Sequence, residues 1–67
     1  MIISSYCDLR GNNVSLCVAF DENYFPIKYE VRVNLDVTRF SPTKLGAEKA
    51  HKYYKNYVSM FEKSDAK

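Results

Sequence analysis

A chain of 67 residues, 46% hydrophobic and with ten aromatic side chains, has room for a single domain and is too apolar for a disordered segment. Its net charge of +2 is unevenly spread: residues 1–36 carry three basic side chains against five acidic, a balance of −2, and residues 37–67 carry seven against three, +4. No stretch approaches the length of a membrane span and no basic, apolar leader opens the chain, so no membrane contact and a cytoplasmic location are expected.

Residues Ile2 to Leu9 form the first expected strand, joined onward through Gly11-Asn12-Asn13, which tolerate positive φ. Two registers compete there. A three-residue loop sets Cys7 opposite Cys17 but turns Asp8 toward Leu16 on the core face. A two-residue Asn12-Asn13 turn keeps Ile3, Ser5, Cys7 and Leu9 on that face and buries no carboxylate, so it is preferred. In that register Cys7 and Cys17 occupy opposite faces, and in a reducing compartment both are free thiols.

Val14, Leu16, Val18 and Phe20 alternate with Ser15, Cys17, Ala19 and Asp21, the period of a half-buried strand. Phe25, Ile27, Tyr29, Val31, Val33 and Leu35 repeat the pattern, with Pro26, Lys28, Glu30, Arg32 and Asn34 on the other face. A two-residue turn at Glu22-Asn23 sets Phe20 opposite Phe25, Val18 opposite Ile27, Leu16 opposite Tyr29 and Val14 opposite Val31.

Beyond Asp36-Val37-Thr38-Arg39-Phe40, Ser41 is placed to cap a helix whose first position is Pro42. Ala47, Ala50, Tyr54, Tyr57, Val58 and Phe61 make one apolar stripe on it, and Glu48 pairs with Lys52. The expected fold is α+β, a single β-β-β-α domain: a three-stranded antiparallel meander over residues 1–40, an amphipathic helix over 41–63 packed on one face, and a frayed tail over 64–67. Its core is expected to contain Val14, Leu16, Val18, Phe20, Ile27, Tyr29, Val31, Ala50, Tyr54 and Phe61.

Catalytic chemistry finds little footing. The single histidine, His51, flanks the helical stripe beside Lys52 with nothing local to pair it with a nucleophile. Nine residues separate Cys7 from Cys17, which is neither a zinc nor a redox spacing, and the lone Gly11 and Gly46 make no phosphate loop. No enzyme activity, metal or cofactor is expected.

Surface chemistry is more informative. Lys44, Lys49, Lys52, Lys55 and Lys63 interleave with Tyr53 and Asn56 along the helix, a pattern shared by solvated helix faces and by surfaces that follow a phosphate backbone. The outer sheet face offers Lys28 and Arg32 around Glu30. In element order the chain resembles integrase arm-binding domains and plant three-stranded DNA-binding domains, which read DNA with the sheet. Six tyrosines suit contact surfaces; Tyr29, Tyr54 and Tyr57 are assigned to the core, leaving Tyr24 at the turn, Tyr53 on the helix flank and, as a further candidate, Tyr6 for a partner.

The expected function is that of a small non-enzymatic protein-binding module or inhibitor, acting on a larger host protein or complex. Its size matches that of phage and mobile-element accessory proteins, anti-CRISPRs among them. The candidate binding residues are Tyr24, Lys49, Lys52, Tyr53, Lys55 and Asn56, then Lys28 and Arg32. Nucleic-acid binding through the lysine-rich helix is the alternative, and the open sheet edges admit a homodimer.

Overall fold

The alternating segments pair as an antiparallel sheet, and the stripe of period 3.6 closes over one of its faces. The computed structural model describes residues 1–65 as β1 (Ile2–Cys7), β2 (Asn13–Phe20), β3 (Pro26–Val33), β4 (Asp36–Phe40) and α1 (Lys44–Asp65), with sheet order β1-β2-β3-β4. The sheet has four strands where three were expected. The expected long strand through Leu35 breaks after Val33: Asn34 takes φ 55°, Leu35 stands exposed at the tip, and β4 returns to pair Val33 with Asp36 and Tyr29 with Phe40. Asparagine enters the left-handed region at little cost. Here it is also pinned to the start of β2, donating from its N–H to the Asn13 carbonyl (2.8 Å) and accepting at Oδ1 from the Asn13 N–H (2.9 Å).

The faces of β2 and β3 are as the alternation requires, but the pairing lies two residues from the expected one: Val14 faces Val33, Leu16 faces Val31 and Val18 faces Tyr29. Two single-residue insertions produce the shift. The turn spends three residues rather than two, with Tyr24 at φ 65°, and a bulge between Ala19 and Phe20 leaves Ile27 without a partner. Each insertion alone would exchange the faces; together they restore them.

The β1–β2 and β2–β3 loops are built alike, each on an aspartate. Asp8 Oδ1 accepts from the Arg10 and Asn12 N–H groups (2.9 and 2.8 Å), and its backbone N–H donates to the Asn12 carbonyl (3.1 Å). Asp21 Oδ1 accepts from the Asn23 and Phe25 N–H groups (2.8 and 3.0 Å), and its N–H donates to the Phe25 carbonyl (2.9 Å). The fourth residue of each loop, Gly11 or Tyr24, takes the positive φ of a three-residue hairpin loop. Because the first loop occupies residues 8–12, β1 pairs Tyr6 with Val14 and Ser4 with Leu16, so Tyr6 joins the core side instead of Cys7 and Leu9. Cys7 and Cys17 therefore share the outer face, contrary to expectation. They are free thiols: Cys7 pairs with Asn13, and Cys17 lies four residues further along β2, roughly 13 Å.

The helix begins at Lys44, not at Pro42, because Thr43 is the cap. Its Oγ1 accepts from the Gly46 N–H (3.1 Å) and its carbonyl from Ala47 (2.9 Å). It continues to Asp65, past the expected end at Lys63; residues 66–67 of the expected tail lie outside the described residues. Ala50 is fully buried against Val14, Leu16 and Val31, ringed by half-buried Tyr6, Tyr29, Phe40, Tyr54, Tyr57 and Phe61. Phe20 and Ile27, expected in the core, are 40% and 50% exposed.

Candidate functional site

The apolar row of β2 outruns the helix that covers it. Val14, Leu16 and Val18 are buried, but Phe20, next in the row, is not, and on β3 exposure rises likewise from buried Val31 through half-buried Tyr29 to exposed Ile27. Neighbouring strands stop at the same level. β1 accompanies β2 only to Val18, whose N–H donates to the Met1 carbonyl (2.9 Å), and β4 accompanies β3 only to Tyr29, opposite Phe40. Residues 19–28 thus extend from the sheet as a two-stranded arm, in a molecule measuring 45 × 20 × 16 Å. Phe20, Ile27, Tyr24 (85% exposed) and Phe25 (66% exposed) clothe this arm, with Asp21 and Glu22 at its turn. Asp21 ties the turn together through the bonds already described.

Of the sequence-predicted site residues, Tyr24 stands at the tip of this arm. Lys49, Lys52, Lys55 and Asn56 are exposed on α1, where Lys44, Ala47, Glu48, His51, Lys52, Lys55 and Asn56 follow one another along a single open face of the helix. Tyr53, expected to face outward among those lysines, turns in. Its ring meets Phe40 edge-on at 5.5 Å between centroids and Tyr57 at 5.0 Å, and Thr38 Oγ1 donates to its hydroxyl (3.3 Å). That bond, with a second from Tyr57, favours the phenolate and lowers the Tyr53 pKa, whereas Tyr57, by donating, is raised. The aromatic stripe of α1 is broader than the sequence suggested because β4 supplies a further row, Thr38 and Phe40, for it to rest on.

Lys28 and Arg32 lie on the outer sheet face, bonded to opposite oxygens of Glu30 at 3.1 and 3.7 Å. The Lys28 hydrogen bond holds the Glu30 pKa below its ordinary value against the opposing effect of burial, with the Lys28, Arg32 and Arg39 charges assisting. Arg39 stands opposite Glu30 across β3 and β4, in a segment the sequence pattern presents as a connection, and its charge adds to those of Lys28 and Arg32 around Glu30. His51 Nδ1 lies 2.8 Å from the Ala47 carbonyl and in the Nδ1–H tautomer donates to it. Among the described residues, no group of three or more His, Cys, Asp or Glu side chains is placed to hold a metal ion, and no helix is long and apolar enough to cross a membrane.

The structure therefore separates the expected site. Tyr24 is gathered with Phe20, Phe25 and Ile27 on the arm, the lysines stand apart on α1, and Lys28 and Arg32 belong to the sheet's outer face. A signal for the first loop was present in Asp8 followed three residues later by Gly11; the second carries the same aspartate with Tyr24 in the glycine's place. No protein-family model, curated protein or solved structure matches the chain.

Proposed function

We propose that this chain is a non-enzymatic protein-binding module that docks onto a larger protein through the β2–β3 arm. One observation carries the reading: the sheet's apolar row continues past the helix onto a projecting hairpin and is left uncovered there. Phe20 and Ile27 continue that row, and Tyr24 and Phe25 add exposed rings at the turn, a concentration of uncovered aromatic side chains that suits a contact surface. Aromatic anchors at a convex tip are also the residues that dominate protein–protein contacts. Nucleic-acid binding through Lys49, Lys52 and Lys55 has weaker support, since the ring that would stack on bases, Tyr53, is packed against Phe40.

The test is capture of a partner from the source cell's lysate with the immobilised chain and with a Tyr24→Asn, Phe25→Ser variant shown by circular dichroism to be folded. The variant is expected to lose the partner while Lys49→Glu keeps it in moderate salt. Full retention by the arm variant would overturn the reading.

A further inference from the structure

From the chemistry of the arm and of α1, we infer that a second copy of this chain is a partner of the arm: the tip of one copy lies on the lysine-bearing face of α1 of the next, so that copies join head to tail. The inference rests on the reading of the arm as a protein-contact surface and names its occupant. The tip is an apolar knob with negative charge, Tyr24 and Phe25 beside Asp21 and Glu22. The lysine-bearing face of α1 is its complement. Lys44, Lys52 and Lys55 stand there against Glu48 alone, with Ala47 among them. A ring laid on the lysine stems meets apolar carbon and ammonium groups, while Glu22 faces the same ammoniums and the charge of Asp21, engaged by the turn, adds to the attraction. The division of charge along the chain, −2 over residues 1–36 and +4 over residues 37–67, has the same sign pattern.

The arm cannot reach the lysine-bearing face of its own chain. α1 rests on the sheet through Ala50, Tyr53, Tyr54 and Tyr57, the lysines are exposed, and the arm continues the very sheet on which the helix lies. Knob and helix face are different patches, so in a head-to-tail contact each added copy presents a fresh knob and a fresh face, and assembly continues past the dimer; a reciprocal exchange of arms would instead stop at two copies. The area of the tip is well below the roughly 800 Å² per partner of a standard interface, so association is weak and depends on concentration and salt.

Sedimentation of the full chain over a concentration series, in low and in high salt, reads this directly. The average mass is expected to rise with concentration without a plateau at two copies, and to fall back toward the monomer in high salt. Two folded variants then separate the halves: Tyr24→Asn, Phe25→Ser removes the knob, and Lys52→Glu, Lys55→Glu reverses the charge of the helix face. Each alone is expected to be monomeric, and an equal mixture to form a one-to-one pair and nothing larger, because each supplies what the other lacks. A wild-type chain that stays monomeric at every concentration or stops at two copies, or a helix-face variant that still self-associates, overturns the inference. If self-association is absent while the arm variant still loses its captured partner, the head-to-tail contact fails and the arm reading stands; if the arm variant keeps that partner as well, both fail.

Discussion

Glycine usually weakens a helix by about 1 kcal/mol relative to alanine, so Gly46, in the first turn of α1, invites replacement. Its surroundings reverse the sign. A Cβ there would fall on the Ser41 carbonyl, which as backbone cannot swing aside as a flexible side chain does, and on the Ser41 hydroxyl as well. Gly46→Ala is expected to destabilise the domain by about 1–3 kcal/mol; a melting temperature equal to the parent's would mean that the 41–43 connection shifts freely. Asp8 decides a second residue-scale effect. Burial raises its pKa, but the Asn12 side chain and the Asn12 and Arg10 backbone donors together outweigh that and lower it. A carboxylate with a lowered folded pKa contributes stability that is complete above its unfolded pKa, about 3.9, and is lost as the pH falls through the folded value. Glu30, lowered by Lys28, acts in the same direction. Melting temperature should therefore hold level above about pH 5 and decline below about pH 4. In Asp8→Asn the acid-side decline should be shallower, and a profile identical to the parent's would remove Asp8 from the account.

At the scale of the elements, coverage by α1 decides what each apolar side chain is worth. Leu16 lies under Ala50 at the centre of the sheet with no exposed surface, so Leu16→Ala is expected to cost about 2–5 kcal/mol, a large part of the stability of so small a domain. Phe20, two residues further along the same row, is beyond the helix, and Phe20→Ala should cost less than about 1.5 kcal/mol. Urea denaturation of the two variants checks the contrast, and comparable losses would show that the arm is folded into the core. The alternation ranked these residues equally because it reports which face a side chain occupies and not whether anything lies over that face. The same blindness assigned Tyr53 to the solvent: on a helix it sits beside Tyr54 and Tyr57, and only the presence of Phe40 and Thr38 on β4 makes its direction a buried one.

Over the whole molecule, the sequence by itself determined the antiparallel sheet, the C-terminal helix, the buried faces of β2 and β3, and a helical stripe through Ala50, Tyr54 and Phe61. Those features are periodic, and a period of 2 or 3.6 is written in neighbouring residues. Strand number and pairing were decided by the tertiary structure. Asn34 turns the chain where alternation runs on unbroken, and paired insertions at Tyr24 and Ile27 cancel in the pattern while moving every partner by two. The first-strand register escaped the alternation, because the loop takes Asp8 and Leu9 from the expected first strand and yields Asn13 to β2; only the Asp8-to-Gly11 spacing marked it. The arm is the furthest from the sequence of all. That Phe20 and Ile27 are exposed follows from where β1, β4 and α1 end relative to one another, and this is a relation between elements distant in the chain that no local pattern records.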